Sequence, residues 1–258
     1  KRQDNILNIS FINVPKIRDR KFKIVLDTIN GASCFGFYEL LKKLNCEIIH
    51  INDKPNGIFK RNPEPKTENI RDLTKIVLKN NADLGFVTDP DGDRLAVIDN
   101  KGDIMIEENT LVLCVDEFLS KTKKNYPIVT NLSTTAAVED ITKKYGVNVV
   151  RSAVGEINVV NKMKELNGMI GGEGNGGIIY PELHYGRDAL VGIALFLSFL
   201  AQFSRSASML RSQYPNYFIS KNKIEIESEI NIEAVLEMLK ERYSKHQIST
   251  IDGLKIDF

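Results

Sequence analysis

From Phe22 onward, apolar residues come in short runs separated by longer amphipathic stretches, and that rhythm predicts the elements. The run Lys23-Ile-Val-Leu-Asp27 reads as a strand, residues 28–33 as a turn, 35–44 as a helix and 46–51 as a second strand. Residues 53–65 carry three prolines and a glycine, so they are expected to be loop. A polar helix over 67–80 then leads into an apolar strand at 83–88, a further strand at 95–99 and a helix over 109–119. Short apolar strands alternating with helices of about ten residues predict βαβ units, with a mainly parallel sheet covered by helices.

The opening pattern recurs. A strand at 128–131, a Ser-Thr-Thr turn at 133–135, a helix over 136–145 and a strand at 147–151 restate the first unit, and a helix follows over 156–166. The strands begin at 24 and 128 and the helix-end lysines stand at 43 and 144, which is the signature of an internal duplication. The joint falls in the Lys-rich stretch 121–127. The apolar run 189–201 predicts a buried helix, with Phe196, Phe199 and Phe203 at helical spacing as core. After a polar, Ser-rich stretch at 205–215, a third pattern starts: a strand at 223–227, a helix over 232–243 and an extended segment at 251–258. A strand-helix pair of that size cannot bury a core of its own. The fold class is therefore α/β: two duplicated α/β domains with mixed, mainly parallel sheets, plus an incomplete C-terminal strand-helix unit.

Composition narrows the function. The 258 residues are 42% hydrophobic and 27% charged, values of a packed domain rather than a disordered chain. A net charge of +1 leaves no global field for a polyanion, so no nucleic-acid partner is expected. The 189–201 run, interrupted by Gly192 and Ser198, falls short of the ~20 apolar residues of a bilayer span, so no membrane association is expected either. Cys34, Cys46 and Cys114 match neither a zinc pattern nor a disulfide framework, which points to a reducing, cytoplasmic setting. The first methionine is Met105, so the chain is expected to be a fragment or processed piece.

The hexamer Asp89-Pro90-Asp91-Gly92-Asp93-Arg94 leaves an apolar strand with carboxylates at alternate positions. Three anions converging on one point repel unless a cation lies between them. With no Cys or His nearby, a hard oxygen-loving ion, Mg²⁺, is the expected occupant. An EF-hand would need Gly and Glu where Arg94 and Asn100 stand, so that alternative fails. An Mg-dependent phosphatase using Asp89 as an aspartyl nucleophile also places Asp-x-Asp after a strand, although such enzymes have Thr or Val where this chain has Asp93.

The second landmark is Gly171-Gly172-Glu173-Gly174-Asn175-Gly176-Gly177. It contains G-x-G-x-x-G, but an extended, proline-limited Ile178-Ile-Tyr-Pro181 follows where a dinucleotide site requires a helix. The remaining functional reading is a glycine loop that lets backbone approach a ligand, with Glu173 and Asn175 offering an acceptor and a mixed donor-acceptor for vicinal sugar hydroxyls. Arg187 is a candidate phosphate or sugar contact. His184 could reach a ligand or serve packing, while His50 and His246 read as structural.

Together with Lys23-Ile-Val-Leu-Asp-Thr-Ile-Asn-Gly-Ala32, these two motifs resemble those of the α-D-phosphohexomutase superfamily: phosphoglucomutases, phosphomannomutases and phosphoglucosamine mutases. The family's Asp-x-Asp-x-Asp-Arg metal loop matches Asp89 to Arg94, and its Gly-Glu-x-Ser/Asn-Gly sugar loop matches Gly172 to Gly176. The resemblance implies a four-domain enzyme that moves a phosphoryl group between the 1- and 6-positions of a phosphorylated hexose or hexosamine, through a phosphoserine and a bisphosphate intermediate. No serine here is followed by His-Asn-Pro, the family's phosphoserine setting. The implied layout is 1–20 as the exit from a missing first domain, 21–125 as the metal-binding domain, 126–216 as the sugar-binding domain and 217–258 as the start of a fourth, with this piece inactive alone.

In that layout Asp89, Asp91 and Asp93 hold Mg²⁺, Arg94 contributes catalysis on the phosphate, and Glu173, Gly174, Asn175 and Arg187 bind substrate. Many relatives have Ser and His where this chain has Asn175 and Gly177, and Gly-His where it has Gly155-Glu156. Glu156 and the space left by Gly177 lean toward a 2-amino sugar; the plainer expectation is a first-turn glutamate answering its helix dipole. A non-catalytic metal- or sugar-binding module is the competing class.

Overall fold

A computed structural model of the protein describes all residues except 106, 123–125, 216, 219, 221, 223 and 226–229. The first sheet has the order β2-β1-β3-β4-β5, built from β1 (Lys23–Asp27), β2 (Glu47–Ile51), β3 (Leu84–Thr88), β4 (Leu95–Asp99) and β5 (Ile104–Met105). β1 runs parallel to β2 and β3, whereas β4 is antiparallel to β3 and β5 to β4. The second sheet repeats this in the order β7-β6-β8-β9, from β6 (Ile128–Asn131), β7 (Val149–Ser152), β8 (Gly171–Glu173) and β9 (Gly177–Ile179). Its β6 is parallel to β7 and β8, and β9 is antiparallel to β8. The duplication read from the letters is thus a duplication of topology. It has a functional corollary: the acidic turn joins β3 to β4 and the glycine turn joins β8 to β9, the same place in each lobe.

Strand alternation explains the layers. Ile24, Leu26, Leu84, Phe86, Leu95 and Val97 face one core, while Val25, Val87, Ala96 and Ile98 face the other, beneath α4 (Thr67–Lys79). In the second lobe Val129 and Ile179 meet Val159, Val160 and Met163 of α7 (Glu156–Leu166). The larger core is shared. α5 (Glu107–Lys121) packs on β4, β8, β9 and α6 (Ala137–Lys144), and it also packs on α8 (Ala189–Phe203). α8 follows the second lobe in sequence but lies against the helices of the first, including α3 (Cys34–Lys43). It is apolar all round because it is covered all round: only Phe199, Gln202 and Phe203 of its fifteen residues escape burial. Among the described residues, no helix is long and apolar enough to cross a membrane.

Residues 2–20, read from sequence as an exit segment, form two short helices, α1 (Arg2–Leu7) and α2 (Val14–Arg20), both packed on α8. Helices this short are marginal in isolation. Burial of Ile6 and Ile17, each contributing about 1.5–3 kcal/mol, holds them. The Ser-rich stretch contains α9 (Ala207–Arg211), anchored by buried Leu210. Beyond it, α10 (Ile232–Arg242) buries no residue, and β10 (Gln247–Ser249) pairs antiparallel with β11 (Lys255–Asp257). The strand expected at 223–227 lies largely outside the described residues.

Candidate metal and sugar site

Because β1 and β3 are parallel, the turns that follow them emerge at one sheet edge. Ala32 N donates to Pro90 O at 2.8 Å, so the turn after β1 braces the acidic turn from the side. Asp89 folds back on its own loop: its Oδ1 accepts from Asp93 N at 3.0 Å and from Arg94 N at 3.1 Å. These bonds close the turn and bring Asp89, Asp91 and Asp93 together, each offering one oxygen within 4.8 Å of the others. Burial, reinforced by the neighbouring Asp93 carboxylate, pushes the Asp89 pKa well above the ordinary carboxylate range. Asp93 Oδ1 is buried without a hydrogen-bond partner among the described residues.

A buried, unpartnered carboxylate oxygen in an all-oxygen trio is the donor set a hard divalent cation requires. The same geometry bears on the phosphatase alternative. The Asp89 side chain is 7% exposed and one oxygen is committed to two N–H groups, so its carboxylate is turned into its own loop and away from the open surface a nucleophile needs.

Arg94 stands over this cluster. Its Nη1 donates to Glu64 Oε1 at 3.1 Å, and its Nε lies 3.5 Å from Asp89 Oδ2 and 3.7 Å from Asp93 Oδ1. Glu64 and Arg61 belong to the proline-rich loop, and sequence reasoning assigned neither of them a part. Arg61 donates from Nε to the fully buried Asp27 carboxylate at 2.9 Å and from Nη2 to Thr88 O at 2.6 Å. It therefore ties the end of β1 to the residue just before Asp89. Nothing local marks it, because its partners are 34 and 27 residues away.

The glycine loop is a hairpin turn, and its carboxylate points inward. Glu173 Oε1 accepts from Asn131 Nδ2 at 2.7 Å and from Gly155 N at 3.2 Å; Oε2 accepts from Arg187 Nη1 at 2.9 Å and lies 3.5 Å from Asn175 Nδ2. Gly174 N is anchored on Thr134 Oγ1 at 3.1 Å, and Asn175 Oδ1 accepts from Gly177 N at 3.2 Å. Within the hairpin turn 173–177, Asn175 keeps partial exposure.

The two turns touch. Leu95 N, the first residue past the acidic turn, donates to Gly176 O at 3.1 Å. Arg187 completes the junction: Nη1 binds Glu173, Nη2 pairs with Asp93 Oδ2, and Nε lies 3.2 Å from Glu156 Oε2. One guanidinium thus spans the acidic turn and the glycine turn. Six carboxylates, Asp89, Asp91, Asp93, Glu64, Glu156 and Glu173, gather around two guanidinium groups and Lys66, an excess of negative charge that favours a further cation.

Two expectations change here. Glu156 accepts from Arg187 N at 2.9 Å and pairs with its Nε, so its carboxylate anchors Arg187 instead of waiting for an ammonium at C2. The space beside Gly177 is filled: a β-carbon there would sit 2.2 Å from Arg187 Cδ. His184 is outside the junction, with its Nε2 2.6 Å from Arg2 Nη2 and 3.2 Å from Asp188 Oδ2 at the start of α8. His50 contacts Thr28 Oγ1 at 2.9 Å and stacks on Tyr38.

Comparison with known proteins agrees with both lobes. Residues 3–102 match the family model for the phosphoglucomutase/phosphomannomutase alpha/beta/alpha domain II, and residues 107–217 match that for domain III. A phosphoglucomutase/phosphomannomutase of Thermococcus kodakarensis is 34% identical over 96% of this chain and 54% of its own length. A phosphoglucosamine/phosphogalactosamine mutase of Sulfurisphaera tokodaii is 29% identical over 99% of this chain and 58% of its own. The crystal structure of a phosphoglucomutase/phosphomannomutase family protein from Burkholderia thailandensis superposes with a TM-score of 0.80 at 25% identity, covering 95% of this chain and 54% of that one. The chain spans about half the length of the curated relatives it matches. With one domain model on each lobe and the acidic and glycine turns facing each other across their junction, the chain belongs to the phosphoglucomutase/phosphomannomutase family.

Proposed function

We propose that this chain forms the metal- and sugar-binding centre of a phosphohexose mutase, an isomerase that moves a phosphoryl group between the 1- and 6-positions of a hexose or hexosamine phosphate. The observation that carries the reading is the junction itself: a trio of aspartate oxygens within 4.8 Å of one another, joined through Arg187 to the glutamate of the glycine hairpin. In this reading residues 21–125 are the metal domain and 126–216 the sugar domain, with 1–20 leading in from a phosphoserine domain and 217–258 opening a fourth.

Asp89, Asp91 and Asp93 would hold Mg²⁺, whose chemistry when bound is to offset charge on a transferring phosphoryl group. Arg94, with Nε beside the aspartates and Nη1 on the partly exposed Glu64, would donate to a phosphate oxygen. Asn175, the partly exposed amide of the hairpin, offers a donor and an acceptor to sugar hydroxyls, and Gly174 lets the backbone approach them. Glu173 orients that amide from behind. A reaction through two substrate orientations needs sugar contacts that serve both, and vicinal hydroxyls meet that need.

The test uses the full reading frame that contains this chain, assayed with the 1-phosphates of glucose, mannose and glucosamine. Interconversion with the 6-phosphate is expected, dependent on Mg²⁺, and Asp91→Asn is expected to lower kcat/KM by about 10²-fold or more. Trapping of phosphate on Asp89, or full activity after metal chelation, would refute it.

A further inference from the structure

The charge balance of the junction assigns a role to Arg187 beyond substrate contact. Its side chain is 13% exposed and each guanidinium nitrogen faces a carboxylate oxygen, with Nε making no hydrogen bond among the described residues. Nη2 lies on Asp93, Nη1 on Glu173 and Nε beside Glu156, whose second oxygen also holds the Arg187 backbone N–H. Its methylene stem fills the space that Gly177 leaves open. A guanidinium held this way brings a positive charge from the sugar lobe to the acidic turn.

We propose that Arg187 is the resident counter-cation of the metal loop, and that its guanidinium yields Asp93 and settles on Glu173 when a divalent cation loads the aspartates. This rests on the reading of Asp89, Asp91 and Asp93 as cation ligands. The two cations share one carboxylate, Asp93, so they compete. Two effects of Arg187 oppose each other. As an outer partner that orients Asp93, it would raise metal affinity, an effect worth about ten- to a hundredfold. As a positive charge on the same carboxylate, it lowers affinity. At an effective dielectric constant of about 20, a unit charge and a divalent ion held about 5 Å apart repel by about 10⁴- to 10⁵-fold in affinity, of which relaxation of the guanidinium away from Asp93 removes the greater part. Repulsion outweighs orientation, and Glu173 and Glu156 give the guanidinium somewhere to relax. Arg187 is then a positioning residue that couples the sugar loop to metal binding: whatever draws it toward Glu173 favours the metal, and whatever frees it from Glu173 opposes it.

Isothermal titration of the 258-residue chain, stripped of metal, with Mn²⁺ alone tests this. Arg187→Gln is expected to tighten Mn²⁺ binding by about tenfold, because charge removal exceeds lost orientation. Glu173→Gln is expected to weaken it by about threefold or more in the parent chain, by returning Arg187 to Asp93, and to have less than about a twofold effect in the Arg187→Gln background. An Arg187→Gln variant that binds Mn²⁺ more weakly or equally overturns the proposal, as does a Glu173→Gln effect of the same size in both backgrounds. Should Arg187→Gln not fold, ¹⁵N-arginine side-chain spectra of the parent chain replace it. The Arg187 guanidinium signal is expected to shift on Mg²⁺ addition, and a signal unmoved at saturation refutes the idea. A parent chain that binds no Mn²⁺ removes the metal reading and this inference together, whereas binding without the coupling removes the inference alone.

Discussion

Substituting Gly176 by alanine probes the contact that joins the two lobes. Gly176 has φ +85°, a conformation in which an L-residue is strained by about 1–2 kcal/mol. A β-carbon there would stand 2.4 Å from Leu95 O, a backbone atom at the start of β4 that also accepts from Thr110 Oγ1. The turn must move away, which forfeits the Leu95 N to Gly176 O bond and adds about 1–3 kcal/mol of displacement cost. The total is about 2–5 kcal/mol, or a melting temperature lower by about 10 °C at the middle of that range for a chain of this size. Gly146 supplies the control: it too has positive φ, +66°, but a β-carbon there meets nothing within 4 Å. Gly146→Ala should therefore carry the backbone strain alone, about 1–2 kcal/mol and near 4 °C. Scanning calorimetry of both variants measures the difference. Equal melting temperatures would mean that the lobes do not press on each other at Gly176, and the shared cleft would lose its structural basis.

Two further outcomes follow from the site. In the metal-free chain burial holds the Asp89 pKa above its unfolded value, so the folded state keeps a proton that the unfolded state has lost. Stability of the metal-free chain is then expected to fall as pH rises from the ordinary aspartate range through the raised value, while Mg²⁺ affinity rises over the same interval with proton release; calorimetry in buffers of different ionisation enthalpy measures both, and Mg²⁺ binding without proton release would contradict the assignment. Arg61→Ala leaves the buried Asp27 carboxylate, among the described residues, with only Ile29 N and Asn52 Nδ2, and is expected to cost about 2–4 kcal/mol in urea unfolding; a loss under about 1 kcal/mol would show that Arg61 is incidental to the acidic turn.

The elements legible in advance were those whose signal is local. The strands Lys23–Asp27 and Leu95–Asp99, the helix Glu156–Leu166 and the Ile128–Asn131 repeat all follow from alternation and helical spacing that a few neighbouring residues carry by themselves. The acidic turn was legible for the same reason: its three carboxylates are close in the chain before they are close in space.

What the tertiary structure decided are contacts of long range. Arg187 meets Asp93 and Glu156 because a bridge to Ile179 holds it beside the glycine hairpin where the two lobes touch, and nothing in Gly-Arg-Asp says which carboxylates will be in reach. Glu156 looked like a free first-turn glutamate, and Gly177 like an empty space, until the Arg187 side chain occupied both. The helices at Arg2–Leu7 and Val14–Arg20 are too short to be stable by propensity and exist because α8 offers them a surface. Sequence alone settled which chemical groups this protein brings; which of them share a charge was left to chain crossings that place residues some thirty to ninety positions apart within one hydrogen bond.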